Sequence, residues 1–220
     1  MAATLAIVLL WSGFAATHLG LSSLRIRQSL IARLGQTAFL GVYSLLAFAF
    51  FIPLVWTYFT HKHAGPWLWI LPRGPALLAL MYGGMMLAFV LLVASLARPS
   101  PASVVPGDVE PRGIYRITRH PLFMAFVVFG LLHLLPNGST ADVAFFGGFV
   151  LFPLIGAWHQ DQRKLVIGPA GYRQFHSATA MLPFSGPEAR RGVRELSPLV
   201  VGLGIAAAFI VRHFHARWFG

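Results

Sequence analysis

Two histidines, His18 and His133, each lie inside a stretch apolar enough to span a bilayer. An imidazole at that depth is costly to leave idle, so an ionisable residue within a span marks a functional site by default. Its neutral ring nitrogen is also the commonest protein ligand for iron, copper and zinc. The chemistry open to such a pair is a metal held between two helices; the bland alternative is a pair of satisfied structural histidines. His120 cannot join His133, because thirteen positions on one helix separate them by ~20 Å and place them on different faces. His133 therefore needs a partner from another helix, and His18 is the only other histidine clearly within a span. His61 and His63 fall in the outer loop and His213 and His215 near the outer end of the last span, where interfacial or solvated roles suit them better. Depth separates the pair. Counted from Arg25 and Arg119, His18 lies ~10 Å and His133 ~21 Å from the basic edge, a gap that tilt or a longer first helix must close.

The densest polar motif is Arg116-Ile117-Thr118-Arg119-His120-Pro121. Pro121 fits the first turn of a helix, and Arg116, Arg119 and the helix start together favour an anion such as a propionate or phosphate, or else anchor the chain at the interface. A second block, Gly156-Ala157-Trp158-His159-Gln160-Asp161-Gln162-Arg163-Lys164, leaves the fifth span. Trp158 reads as an interface anchor, and Asp161, one of six acids, as an ion-pair partner of Arg119 or Arg163 before a catalytic group. The third block, from Gly168 through Tyr172 and Arg173 to Pro183-Phe184, reads as an amphipathic segment on the membrane surface. There is no G-x-S-x-G elbow, Walker loop, H-E-x-x-H or close carboxylate pair.

The elements that position these residues follow from composition. Of 220 residues 57% are hydrophobic and 10% charged, with a mean hydropathy of +0.71; soluble domains carry about 25% charged residues. The chain reads as all-α, a polytopic membrane helical bundle forming a single domain over 1–220. Six spans are expected, near 2–20, 37–59, 76–97, 121–136, 140–158 and 197–214, with five as the count if the fourth and fifth form a re-entrant hairpin. Thirteen of the 17 basic residues fall in loops 21–36, 98–120 and 159–196. The positive-inside rule puts those loops in the cytoplasm of a bacterial inner membrane and both termini in the periplasm. The net charge of +11 then reflects topogenic arginine and contact with anionic lipids, with no nucleic acid required. Met1-Ala2-Ala3-Thr4 lacks a basic n-region, so the first span is expected to be retained. Absent cysteine excludes disulfides, thiolate metal sites and covalent c-type haem attachment. Prolines over 98–111 suit an extended connector. Paired small residues such as Gly83-Gly84 and Gly147-Gly148 suit close helix packing.

In these blocks the chain resembles the NnrU family of bacterial membrane proteins, which includes the plant and cyanobacterial 15-cis-zeta-carotene isomerases. The resemblance runs over about 14–185. It rests on His18-Leu19-Gly20, Ile26-Arg27, Arg33-Leu34-Gly35, Arg116 to Pro121, His133-Leu134-Leu135, Asn137-Gly138, Gly156-Ala157-Trp158, Asp161, Arg163 and Pro183-Phe184. It implies one non-covalent haem b held between two histidines matching His18 and His133, which would also be the catalytic centre. Arg116, Arg119 and His120 are the expected cofactor-binding neighbours, reaching the propionates, with Trp158, Asp161 and Arg163 in support. The implied reaction is cis–trans isomerisation of a lipophilic 15-cis polyene at ferrous iron, which needs an electron donor. Two alternatives stand beside it. One is a denitrification-related haem or nitric-oxide protein without turnover. The other is an S-adenosylmethionine-dependent membrane methyltransferase, against which the single acid in His159-Gln160-Asp161-Gln162 argues.

Overall fold

Glycine and proline punctuate the apolar runs and set the helix ends. The computed structural model describes residues 1–72, 74–101 and 109–219, and places ten helices among them. They are α1 (Ala2–Ser22), α2 (Leu24–Leu34), α3 (Gln36–Thr60), α4 (Pro75–Ala97), α5 (Ile114–Ile117), α6 (Pro121–Leu134), α7 (Thr140–Ile167), α8 (Tyr172–Ala178), α9 (Ala189–Glu195) and α10 (Pro198–Phe219). Three of them open on proline, whose fixed φ and missing N–H suit the first turn. Gly35, at a φ of +80°, breaks α2 from α3.

Five helices, α1, α3, α4, α7 and α10, are long and apolar enough to cross a membrane. The fourth expected span is shorter than the other five. At 14 residues α6 is ~21 Å long, against a hydrocarbon core of about 30 Å. Its end is fixed by Asn137, whose Nδ2 donates to the His133 carbonyl at 2.8 Å. Large apolar side chains face outward, among them Trp56 (72% exposed), Leu45 and Leu199 (both 70%), as lipid-facing surfaces do. Half of the expected extended connector over 98–111, residues 102–108, lies outside the described residues, as does Arg73 among the outer basic residues.

The chain divides into two compact units. The first comprises Met1–Pro72 and His133–Gly148. Within it α1 packs on α3, and amphipathic α2 lies against both. Glycine permits the closest approaches: a Cβ on Gly13 would enter the Phe50 ring, and one on Gly148 the Trp11 indole. Trp11 Nε1 donates to the Phe145 carbonyl at 3.1 Å, and Thr4 meets Thr140 at 3.1 Å, so α1 and the first turns of α7 run parallel. Backbone bonds from Leu68 to Gly138, Thr140 to Pro66 and Ala141 to Ala64 tie the 61–72 loop to the start of α7.

The second unit takes the described residues of Arg73–Leu132 and Phe149–Gly220. Here α4 packs on α10, and α5 on α9 and α4. Leu91, Tyr115, Ile117, Met124, Ala157, Tyr172 and Phe175 form a buried cluster. The block expected on the membrane surface thus contributes core: α8 buries Tyr172 and Phe175, because its aromatic face has Tyr115 to pack against.

Candidate functional site

His18 and His133 fall in the same unit. His18 stands on the last turns of α1 and hydrogen-bonds the Phe14 carbonyl one turn back. Its ring lies 4.2 Å from Phe14 and 4.7 Å from Tyr43, centroid to centroid. His133, on the last turn of α6, stacks on Phe146 at 4.9 Å.

The depth difference expected from sequence persists along the backbone. His133 lies on Phe146, beside the Phe145 carbonyl that Trp11 holds, and His18 is seven residues beyond Trp11, or ~10 Å along α1. Side chains on a helix lean towards its N-terminus. The His18 ring accordingly overlies Phe14, only three residues from Trp11, which halves the offset to ~5 Å. Between the two imidazoles runs an aromatic belt. Phe14, Trp11 and Phe51 pack edge to face or tilted, and Phe145 stacks on Tyr58 at 3.9 Å and meets Phe146. Two imidazoles in apolar, aromatic surroundings are a donor set that fits axial ligation of a haem. Among the described residues no three His, Cys, Asp or Glu side chains gather as a metal site.

A basic residue also belongs to this unit. The Arg27 guanidinium lies 4.9 Å over Phe39, which meets Tyr43, the ring beside His18.

The Arg-His-Pro motif lies in the second unit, with its donors engaged by carboxylates of the chain. Asp161 is 2% exposed and is the hub. It accepts from His120 Nε2 at 2.7 Å, Arg119 Nε at 2.8 Å and Tyr172 Oη at 2.9 Å, with His176 at 3.5 Å. Arg119 also donates to the Thr179 carbonyl at 2.6 Å. The expected Arg119–Asp161 pair is thus present. Burial and the Asp161 charge push the Tyr172 hydroxyl well above its usual range, and Arg163 acts on it in the opposite sense. Burial, with Arg119 beside it, holds His176 below the usual histidine value. Arg116 pairs with Glu195 and Glu188, each at 3.0 Å. Trp158 is 58% exposed, as an interface anchor would be.

Two groups of residues escaped the sequence reading. Tyr172, His176 and Thr179 complete the Asp161 hub, and Tyr172 carried no signal beyond its place in an aromatic block. The other group surrounds Asp142, which is fully buried in the first unit. Tyr58 Oη and His63 Nδ1 each reach it at 3.0 Å, and Ser139 Oγ at 2.7 Å. Ser139 and Asp142 form a reciprocal box at the start of α7, and Ser-x-x-Asp before an apolar run was the legible signal.

The profile of the NnrU protein family matches residues 6–220. Among curated proteins, the chloroplastic 15-cis-zeta-carotene isomerase of Arabidopsis thaliana is 27% identical over 176 residues, and its counterpart of Zea mays 25% identical over 175. Each match covers 78% of this chain and 47% of the relative, so the chain spans about half the length of the curated relatives it matches. No solved structure matches it.

Proposed function

The chain belongs to the NnrU family, and from that premise we propose that it is an inner-membrane protein holding one haem b between His18 and His133 and isomerising a 15-cis polyene. The supporting observation is the pair itself: α1 and the shorter apolar helix α6 contribute imidazoles to one unit of the fold, each packed on aromatic rings. The isomerase reading draws on the names of the two plant relatives.

Each residue of the unit has work in this reading. The Phe14 carbonyl, one turn back along α1, helps to orient the His18 ring. Phe146 steadies the His133 ring, and Trp11, Phe51 and Tyr58 keep water from the space between the helices. His18 and His133 would hold the haem, which when bound would supply the iron chemistry called for by a double-bond isomerisation without net redox change. Arg27 is the guanidinium we assign to a cofactor carboxylate. The donors of Arg116, Arg119 and His120 are engaged by Glu188, Glu195 and Asp161, and we assign those three to holding the second unit together. The substrate is a lipophilic polyene drawn from the bilayer, and an electron donor keeps the metal ferrous.

Turnover tests the proposal. Reduced, haem-loaded protein should convert a 15-cis polyene, and oxidised or haem-free protein should not. Equal conversion with and without haem overturns it. No conversion, together with tight nitric-oxide binding by the ferrous protein, favours a nitric-oxide-handling role.

A further inference from the structure

In the second unit, α4, α5, α9 and α10 enclose an apolar cleft of about 540 Å³, within the range of small-molecule sites. Val90, Leu91, Ile114, Val193, Gly202 and Ile205 are among its walls, and no charged side chain lines it. Two glycines on α10 differ in what they face. A Cβ on Gly204 would come within 2.7 Å of the Val90 backbone, so helix packing accounts for that glycine. A Cβ on Gly202 would meet nothing within 4 Å. Packing does not require a glycine there; its effect is to leave the cleft open.

The α9 wall of the cleft belongs to a charged helix. Val193, 50% exposed, belongs both to the cleft wall and to the outer face of α9. Arg190 and Arg194 flank it one turn apart, both exposed. Their neighbours Arg116 and Arg191 are neutralised by Glu188 and Glu195. Arg190 and Arg194 have no ion pair or hydrogen bond among the described residues. Two exposed arginines on the helix that supplies the wall residue Val193 match a ligand with a hydrocarbon tail and an anionic head. A neutral polyene would fill the cleft and leave both charges unanswered. Because α4 and α10 are long enough to cross a membrane, acyl chains lie beside them.

We propose that this cleft is a binding site for one anionic phospholipid, with an acyl chain along Gly202 and the phosphate between Arg190 and Arg194. It stands independently of the haem reading.

Native mass spectrometry of the full chain, released from detergent with added phosphatidylglycerol or phosphatidylcholine of matched chains, tests it. The parent should retain one phosphatidylglycerol in clear preference. Arg190→Gln with Arg194→Gln should lower that preference by about tenfold, and both substitutions are on the exposed surface. Gly202→Leu fills the cleft and should lose both lipids, whereas Gly41→Leu, at another glycine with open space before it, should lose neither. Inorganic phosphate alone should not bind. Equal retention of the two lipids by the parent overturns the proposal. Parent-like retention by Gly202→Leu, or displacement of the lipid by a 15-cis polyene, does so as well.

Discussion

At the scale of single residues, ionisable groups in apolar surroundings divide into those tied to a charged or polar hub and those set among aromatic rings, as His18 and His133 are. Asp161 is of the first kind, with His120, Arg119 and Tyr172 all donating to it. Removing one donor from a buried carboxylate costs about 1–3 kcal/mol. His120→Leu should therefore lower the unfolding midpoint in detergent while leaving any haem spectrum unchanged; a changed spectrum would give His120 a role at the metal. Arg27→Gln should weaken haem retention with little effect on thermal stability, measured by haem transfer to an acceptor apoprotein. Unaltered retention would remove Arg27 from the site. His18 and His133 were legible from sequence because a polar residue in an apolar run stands out. Asp142 was legible only as half of a Ser-x-x-Asp helix start, because its partners Tyr58 and His63 lie about 80 positions away along the chain. Only folding brings them together.

At the scale of elements, close approach and capping set the geometry. Gly148 lies against the Trp11 indole, so Gly148→Val should overpack the α1–α7 contact and cost about 1–3 kcal/mol. Thermal unfolding in detergent measures this, and parent-like stability would show that the indole yields. The α5–α9 contact carries a pH dependence. The Gly113 N–H, then Arg116 and Arg191, hold the Glu195 carboxyl below the usual glutamate range. A depressed folded pKa gives stability that is present above the unfolded value, about 4.3, and is lost as pH falls through the folded one. Proteolysis at α9 should therefore rise below about pH 4 in the parent, and Glu195→Gln should be susceptible already at neutral pH. A parent profile flat to acid would contradict this. Helix starts were legible, since proline marks α4, α6 and α10. The end of α6 was legible to within two residues, since the span expected over 121–136 stops at Leu134, where the Asn137 side chain turns back to His133.

At the scale of the whole molecule, basic residues decide orientation. With 13 of 17 in loops 21–36, 98–120 and 159–196, reporter fusions after Leu30, Glu110 and Ser185 should all report cytoplasm. A periplasmic signal after Glu110 would rule out that orientation; a cytoplasmic signal after Asn137 would make α6 re-entrant. The division into two units was not legible, because it falls inside α6 and α7, where the apolar runs continue without a break. The central proposal is a haem held by two imidazoles, and the visible spectrum of protein purified from haem-supplied cells tests it most directly. Ligation by His18 and His133 predicts a low-spin, six-coordinate oxidised spectrum that is lost or turns high-spin in His18→Ala and in His133→Ala. Folded parent protein without haem, or a parent spectrum kept by both variants, would contradict it.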